Sequence, residues 1–318
     1  MKHKVLILGT LGEFTELVRK AKARGYETIV CDGYPDGIAR EYADKDYTIP
    51  VTDIDAIAQM CREESVDGII TSFSDLLLEC MTKIADKAGL PCYLKPEQLP
   101  WYRDKSACRE VLEKLGLPTP GFRKISVDLL RQGTEAQLQE SIAGLEYPLI
   151  SKPLDKYGSR GIFIIHDQSE IRRKALQTAE YTNCQEILIE EYNDGYEFNM
   201  MTWVMDGRVN VVSIADREKT EVEEGMLPIS TRNVYPSRFL TEVEKGATDV
   251  LQRYIGYTGQ TEGALSMQFF WKPGKGIQVC EIAGRFFGYE HELTDMVYGF
   301  QIEELLLDYL YEKEKIRE

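Results

Sequence analysis

Histidines, paired cysteines and long apolar runs are scarce in this sequence. Three of the 318 residues are histidines, at positions 3, 166 and 291, so chemistry of the Ser-His-Asp type has few candidates. The seven cysteines are an odd number with no Cys-x-x-Cys pair, which argues against a disulfide framework and a zinc ribbon. Apolar runs such as residues 5–8 are far shorter than the roughly 20 residues of a membrane helix. We therefore expect a cytoplasmic protein with reduced cysteines and no membrane partner.

Positive charge is also in short supply. The sequence has 38 Lys and Arg residues against 53 Asp and Glu residues, a formal net charge of −15. This excess of negative charge repels a phosphate backbone, which argues against a nucleic-acid partner. Any bound polyanion must therefore be held by a local cluster of cations. The length indicates about two domains with room for a sizeable core.

The first 95 residues show a repeated strand and helix pattern. A short apolar strand, residues 4–8, runs into Gly9 and Gly12, and an amphipathic helix and a second strand, residues 28–31, follow. This β-α-β opening predicts a small doubly wound domain. The turn between strand and helix lacks the Gly-x-Gly-x-x-Gly fingerprint, which argues against a nicotinamide dehydrogenase.

The segment 147–165 is predicted to form a strand, a flexible loop and a second strand. Lys152 ends the first strand, and the loop contains Gly158 and Gly161. Such a loop can turn its backbone N–H groups onto phosphate oxygens, with the lysine charge beside them. A Walker A loop is excluded because a strand, not a helix, follows. The loop fits a phosphate lid, and it fits an ordinary hairpin with a solvated lysine equally well.

Two paired strands are predicted near the C-terminus, over residues 264–271 and 277–284. A type II′ turn with Gly274 and Lys275 at its centre would place Gln268 opposite Glu281. The two side chains would then lie on one face, close enough to share a magnesium ion. A slip of one residue would separate them, and a solvated cross-strand pair is the alternative interpretation.

Taken in chain order, these motifs resemble the ATP-grasp superfamily, and the resemblance covers nearly the whole chain. The motifs are Asp-Lys at 104–105, SKPLDKYGSRG at 151–161, ILIEEYNDGYE at 187–197, and Gln268 thirteen residues before the Glu281 of EIAGR. No single motif decides the matter, and their order carries the resemblance.

The resemblance implies a mixed fold of the α/β and α+β classes. A Rossmann-like domain over residues 1–103 would precede a two-lobed ATP-grasp domain over residues 104–318. The smaller lobe would span residues 118–190 and the larger lobe residues 191–318.

The resemblance also implies roles for individual residues. Lys105 and Lys152 would bind the ATP phosphates, and Lys152 would also act in catalysis together with Arg285, near the transferred phosphate. Gln268 and Glu281 would hold Mg²⁺, a Gln/Glu pairing that is similar to the large subunit of carbamoyl-phosphate synthetase. The remaining implied nucleotide contacts are the lid residues Lys156, Ser159 and Gly161, the adenine hinge Glu190, Glu191, Tyr192 and Asn193, and Glu197 for the ribose hydroxyls.

The expected function is an ATP- and Mg²⁺-dependent ligase that joins a carboxylate to an amine or thiol through an acyl phosphate. One departure concerns Ala283, which stands where many members of the superfamily have a metal-ligating Asn. Some amino-acid ligases of the superfamily share it, which favours a water ligand in place of the Asn. The alternatives are a carbamoyl-phosphate-synthetase-like activity on bicarbonate or carbamate, and an ATP-binding accessory protein without turnover.

The sequence does not name the two small-molecule substrates. Acceptor pockets would be built from loops such as residues 218–236, which show no clear period and are expected to form a mobile loop over the site. The state of assembly is open as well, with a homodimer as one alternative.

Overall fold

The computed structural model describes residues 2–155, 160–220 and 229–317. Its first strands are β1 (Lys4–Leu8), β2 (Glu27–Cys31), β3 (Lys45–Tyr47) and β4 (Gly68–Ile70), and its first helices are α1 (Thr15–Ala23), α2 (Ile54–Glu64) and α3 (Asp75–Ala88). The strands form a parallel sheet in the order β3-β2-β1-β4. β1 and β2 are apolar and buried along nearly their whole length, as strands covered on both faces are. The parallel pairing of β1 with β2 is that of the predicted β-α-β unit.

Two helices, α4 (Leu99–Arg103) and α5 (Lys105–Lys114), lead away from this sheet. The carboxylate of Asp104 caps α5, because it accepts hydrogen bonds from the backbone N–H groups of Ser106 at 2.7 Å and Ala107 at 3.2 Å. Asp104 is therefore the N-cap residue of this helix. It makes Lys105 the first residue of the helix, with Arg109 one turn further along the same face.

A second, antiparallel sheet follows. Its strands are β5 (Phe122–Ser126), β6 (Leu149–Pro153), β7 (Phe163–Ile165) and β8 (Glu186–Glu191), in the order β5-β8-β6-β7. The accompanying helices are α6 (Val127–Gln132), α7 (Glu135–Ser141) and α8 (Ile171–Ala179). The predicted pairing of the two strands around the lid is confirmed, since Ser151 of β6 lies opposite Phe163 of β7. Lys156, Gly158 and Ser159 of the lid lie outside the described residues.

The third sheet is also antiparallel. It contains β9 (Tyr196–Met205), β10 (Arg208–Lys219), β11 (Ser230–Val234), β12 (Gly263–Lys272) and β13 (Gly276–Ala283), in the order β11-β10-β9-β12-β13. The described helices after β11 are α9 (Leu240–Thr258), α10 (His291–Tyr298) and α11 (Ile302–Tyr311).

The prediction of an irregular loop over residues 218–236 is wrong in part. β10 continues to Lys219, and β11 pairs with it, with Arg217 opposite Asn233. Residues 221–228 lie outside the described part of the chain. The sequence shows no strand period here because β11 is an edge strand with an exposed face, and charged pairs such as Arg232 and Glu218 replace the apolar alternation.

The apolar side chains of the described residues form two cores. One lies within the second sheet and its helices, and includes Ile125, Leu149 and Ile187. The other is shared by the parallel sheet, the third sheet, α9 and α11. The last helix returns to the first, where Arg24 donates to Asp308 at 2.6 Å. Among the described helices, none is both long enough and apolar enough to cross a membrane.

Candidate active site

The hairpin of β12 and β13 places Gln268 opposite Glu281, and the predicted pair is confirmed. The predicted two-residue turn is wrong. Lys272 pairs with Gly276, so the connection has three residues, including Gly274 with φ +78°. A β-bulge directly after Gln268 leaves Cys280 as an extra residue on β13. The bulge compensates for the longer turn, and the pair is restored.

A buried carboxylate joins two cations at the junction of α5, β6 and β8. The Oε2 atom of Glu190 accepts from Lys152 Nζ at 2.6 Å, and its Oε1 atom accepts from Arg109 Nε at 2.8 Å. Glu190 is 1% exposed. Burial alone would raise the pKa of Glu190, but Arg109 and Lys152 lower it to about 2. Glu190 is therefore ionised. It was predicted as part of the adenine hinge, and the structure places its side chain as a counter-ion for Lys152 and Arg109.

Lys105 adds a third cation to this cluster. The pKa of Lys105 is lowered, mainly by burial. Glu281 raises it and Lys152 lowers it, so Lys105 interacts electrostatically with both side chains. Together with Arg109 and Glu190, the cluster holds three cations against two carboxylates. The surplus of positive charge, taken out of water, favours an anionic ligand such as a phosphate chain.

Glu197 lies on the same face of the third sheet as Gln268. Its carboxylate accepts from Arg217 Nη1 at 2.6 Å, forms an ion pair with Lys219 Nζ at 2.9 Å, and accepts from the amide nitrogen of Gln268. The amide oxygen of Gln268 is thus the end that a cation would take. A ribose contact, as predicted for Glu197, would share this carboxylate with its two cations.

The donor set at Gln268 and Glu281 fits a magnesium ion that is carried by a nucleotide. The pair offers one amide and one carboxylate oxygen, while Mg²⁺ in such sites takes one or two carboxylates, phosphate oxygens and water. Ala283 supplies no oxygen, and the hydroxyl of Ser266 across from it has no partner among the described groups. The described residues contain no cluster of three His, Cys, Asp or Glu side chains that would hold a metal alone.

The hinge after β8 is held by hydrogen bonds within the protein. The backbone N–H groups of Glu191 and Tyr192 donate to the carbonyl oxygens of Gly121 at 2.9 Å and Pro148 at 2.8 Å. Asn193 accepts from the N–H of Gly195 at 2.8 Å. Contacts to adenine from this segment would therefore use its carbonyl oxygens and Asn193.

One end of the lid is fixed. Gly161 has φ +72°, and a Cβ atom there would lie 2.6 Å from Cβ of Tyr181 and 3.0 Å from Cγ of Pro153. Only glycine fits this position without strain. The predicted phosphate contacts of Lys156 and Ser159 fall in residues 156–159, outside the described part.

Residues 145–292 match the sequence profile of the ATP-grasp domain. This segment, just under half of the chain, is similar to ATP-grasp domains. A curated relative, the C-terminal section of the carbamoyl phosphate synthase large chain from Methanopyrus kandleri, is 23% identical over 290 residues, which cover 86% of this chain and 51% of the relative. The chain spans about half of that relative and about a quarter of two further large chains. The predicted resemblance is confirmed.

Solved structures support the same fold. Phosphoribosylglycinamide synthetase from Anaerococcus prevotii superimposes with a TM-score of 0.76 at 20% identity, over 96% of this chain and 74% of that one. An L-amino acid ligase from Bacillus licheniformis gives a TM-score of 0.74 at 19% identity, over 98% and 74% of the two chains. The chain therefore shares the mixed α/β fold of these two proteins.

Arg285 follows β13 in the sequence and contacts α3. Its Nε and Nη2 atoms each donate to a carboxylate oxygen of Asp75 at 2.7 Å. Asp75 is the first residue of α3. The structure thus shows Arg285 in a bidentate pair, and its predicted position near the transferred phosphate stays a prediction.

Helix α11 contacts both α10 and α1 through charged side chains. His291 forms an ion pair with Glu303 at 2.6 Å, and Lys20 of α1 contacts the same carboxylate at 3.0 Å. The hydrogen bond to Glu303 raises the pKa of His291. Burial alone would raise the pKa of Glu303, but His291 and Lys20 lower it to about 2.

Glu290 is a buried acid next to the candidate site that the sequence analysis missed. It is 1% exposed and accepts from the side-chain amides of Asn199 at 2.6 Å and Asn233 at 2.8 Å, and from the Tyr235 hydroxyl. Burial raises its pKa. Asn199 pairs with Gln268 across β9 and β12, so its hydrogen bond links Glu290 to the strand pair that carries Gln268. The sequence signal that could have pointed to this cluster is the alternation of the polar residues Glu197 and Asn199 with apolar residues in β9.

Proposed function

We propose that this chain is an ATP- and Mg²⁺-dependent ligase that joins a small-molecule carboxylate to an amine or thiol through an acyl phosphate. The observation that carries the proposal is a surplus of cations, the buried Arg109 and the partly buried Lys105 and Lys152, beside the opposed Gln268 and Glu281. A site with this charge favours binding of a triphosphate with its metal ion over binding of a neutral ligand.

The division of labour follows from the chemistry of the reaction. A carboxylate is a poor electrophile, because attack on its carbon must expel an oxide. Transfer of a phosphoryl group to one carboxylate oxygen makes that oxygen a good leaving group, and an amine then forms the amide bond as phosphate departs and a proton is lost. Lys105 and Lys152 would bind and neutralise the phosphates. Gln268 and Glu281 would hold Mg²⁺, which supplies further charge neutralisation when bound.

The residues before the ATP-grasp domain complete the proposal. We assign residues 1–103 to a Rossmann-like domain and residues 104–318 to the ATP-grasp domain, with lobes at 118–190 and 191–318. The parallel sheet and the separate core of the second sheet support this division. Arg285, tied to Asp75 at the edge of the first domain, would face the acyl group from the junction of the two.

A second candidate is phosphorylation of bicarbonate or carbamate. It is favoured by the matches to carbamoyl phosphate synthase large chains and by the Gln/Glu metal pair, which is similar to theirs. A location in the cytoplasm, small-molecule partners and a homodimer remain predictions.

A thermal-shift experiment tests the nucleotide assignment. MgATP at about 100 times its dissociation constant should stabilise the fold by about 2.7 kcal/mol, a readily visible shift in Tm. ATP with EDTA should give a smaller shift, since the metal pair is then left without its ion. NADH should give none. A shift with NADH and none with MgATP would contradict the proposal.

A further inference from the structure

Arg109 is a buried arginine that touches both lobes of the proposed ATP-grasp domain. Its side chain is 4% exposed. The guanidinium donates to Glu190 at 2.8 Å and Thr119 Oγ1 at 2.7 Å on one side, and to the carbonyl oxygens of Val279 at 2.5 Å and Cys280 at 2.8 Å on the other. One rigid, planar group thus connects α5 with the end of β8 and with the bulge of β13.

The first connection determines where Lys152 lies. Glu190 uses one carboxylate oxygen for Arg109 and the other for Lys152. A carboxylate held by two cations at different oxygens has a fixed orientation, so the ammonium group beyond it is fixed as well. Without Arg109, the carboxylate would be free to turn towards Lys152 alone, and the ammonium would lose its position relative to the phosphates.

The second connection determines where Glu281 points. Cys280 is the extra residue of the bulge, and the N–H of Val279 is held by the carbonyl oxygen of Pro118 at 2.9 Å. If the register nearer the turn continued without the bulge, Gln268 would lie opposite Cys280, and Glu281 would project from the other face. Arg109 binds both carbonyl oxygens of this kink and so stabilises the register that makes the metal pair.

We propose that Arg109 is a positioning residue that couples the two halves of the nucleotide site, Lys152 through Glu190 and Glu281 through the bulge of β13. The inference rests on the proposed function, because both halves are assigned to Mg-ATP there. The Arg109 side chain lies one helical turn from Lys105, so α5 presents one phosphate ligand and aligns a second, Lys152, together with the metal ligand Glu281.

Arg109→Lys separates the two connections. A lysine can keep the ion pair with Glu190, but a single ammonium on a flexible stem does not also hold both carbonyl oxygens. We expect ADP affinity without metal to stay close to that of wild type. Mg²⁺ should strengthen ADP binding, and the Mg²⁺ concentration that gives half of this effect should be roughly tenfold higher in the variant. Roughly tenfold is the loss expected for one hydrogen bond to a charged group. Calorimetric titration of ADP at a series of Mg²⁺ concentrations measures both.

Arg109→Gln combined with Lys152→Met tests the path through Glu190. If Arg109 acts on nucleotide affinity through Lys152, the double variant should bind metal-free ADP no more weakly than Lys152→Met alone. Arg123→Gln is the matched control, because Arg123 also donates to backbone carbonyls, of Phe122 and Ala143, on the surface of the small lobe. Arg123→Gln should change neither the affinity for metal-free ADP nor the Mg²⁺ dependence of ADP binding.

The outcomes distinguish this inference from the function on which it rests. Additive losses in the double variant, or an unchanged Mg²⁺ dependence in Arg109→Lys, would overturn the coupling role and leave the ligase proposal intact. If Arg109→Gln does not fold, Arg109→Lys still decides through its Mg²⁺ dependence, because it keeps the buried charge. A wild-type protein that binds no Mg-ADP would overturn both.

Discussion

Lys105→Met should separate stability from nucleotide binding. Lys105 is the first residue of α5, where the helix dipole disfavours a cation by roughly 0.3 to 1 kcal/mol. Burial also lowers its pKa from 10.5, which means that the folded protein disfavours the charged form, although Glu281 offsets part of this. Methionine keeps most of the apolar stem and removes the charge. The unliganded variant should therefore unfold with a free energy equal to that of wild type or higher by up to about 1 kcal/mol.

Nucleotide binding should change in the opposite direction. A hydrogen bond between an ammonium and a phosphate contributes about 1.5 to 3 kcal/mol, so Mg-ADP should bind roughly 10- to 150-fold more weakly. Urea denaturation of the free protein and calorimetric titration with Mg-ADP measure the two effects. Lys114→Met, at the exposed end of the same helix, is the control and should leave the affinity unchanged.

The stability gain should also depend on pH. Because the folded pKa of Lys105 lies below 10.5, its destabilising effect is complete below the folded pKa and is relieved as pH rises towards 10.5. The difference between variant and wild type should shrink over that interval. A variant that is clearly less stable than wild type at neutral pH and still binds Mg-ADP normally would refute the reasoning, because Lys105 would then be structural.

Three further predictions concern the metal, the lid and a histidine. Gln268→Glu and Ala283→Asn should each lower the Mg²⁺ concentration needed for half-maximal turnover, since each adds an oxygen ligand or a charge; a higher requirement in both would contradict the metal assignment. Lys152→Met should weaken ATP binding more than Lys156→Met, because a lysine fixed at a strand end loses less side-chain freedom on binding; equal losses would argue against this. His291→Asn should destabilise the protein more at about pH 6 than at about pH 9, because a raised histidine pKa contributes stability that is lost as pH rises through it, and equal losses measured by urea denaturation would show that the ion pair is unimportant.

Much of the geometry of the candidate site could be predicted because its key side chains lie at the ends of recognisable elements. Lys105 follows the cap residue Asp104, and Lys152 lies near the end of β6. The opposition of Gln268 and Glu281 was predicted from an incorrect turn. A three-residue connection and a one-residue bulge shift the register in opposite senses, and neither leaves a clear mark in the sequence.

The parts that escaped prediction depend on contacts between distant segments. Arg109 looks like a surface arginine of a polar helix, and two of its acceptors are backbone carbonyl oxygens, which every residue has. Glu290 takes its importance from Asn199 and Asn233 on other strands. The edge strand β11 was missed because its charged exposed face removes the alternation on which strand prediction relies.

The most direct test is the dependence of ADP formation on an added carboxylate. Purified protein would be incubated with Mg-ATP and a panel of carboxylates, bicarbonate included, each with and without an amine, and ADP and phosphate would be measured. We predict that one carboxylate raises ADP formation, that the amine yields a coupled product, and that Glu281→Gln loses most of the turnover because it removes the only acid of the metal pair. Mg-ATP binding without any carboxylate-dependent turnover, or a wild-type rate in Glu281→Gln, would contradict the assignment of this site as that of a ligase.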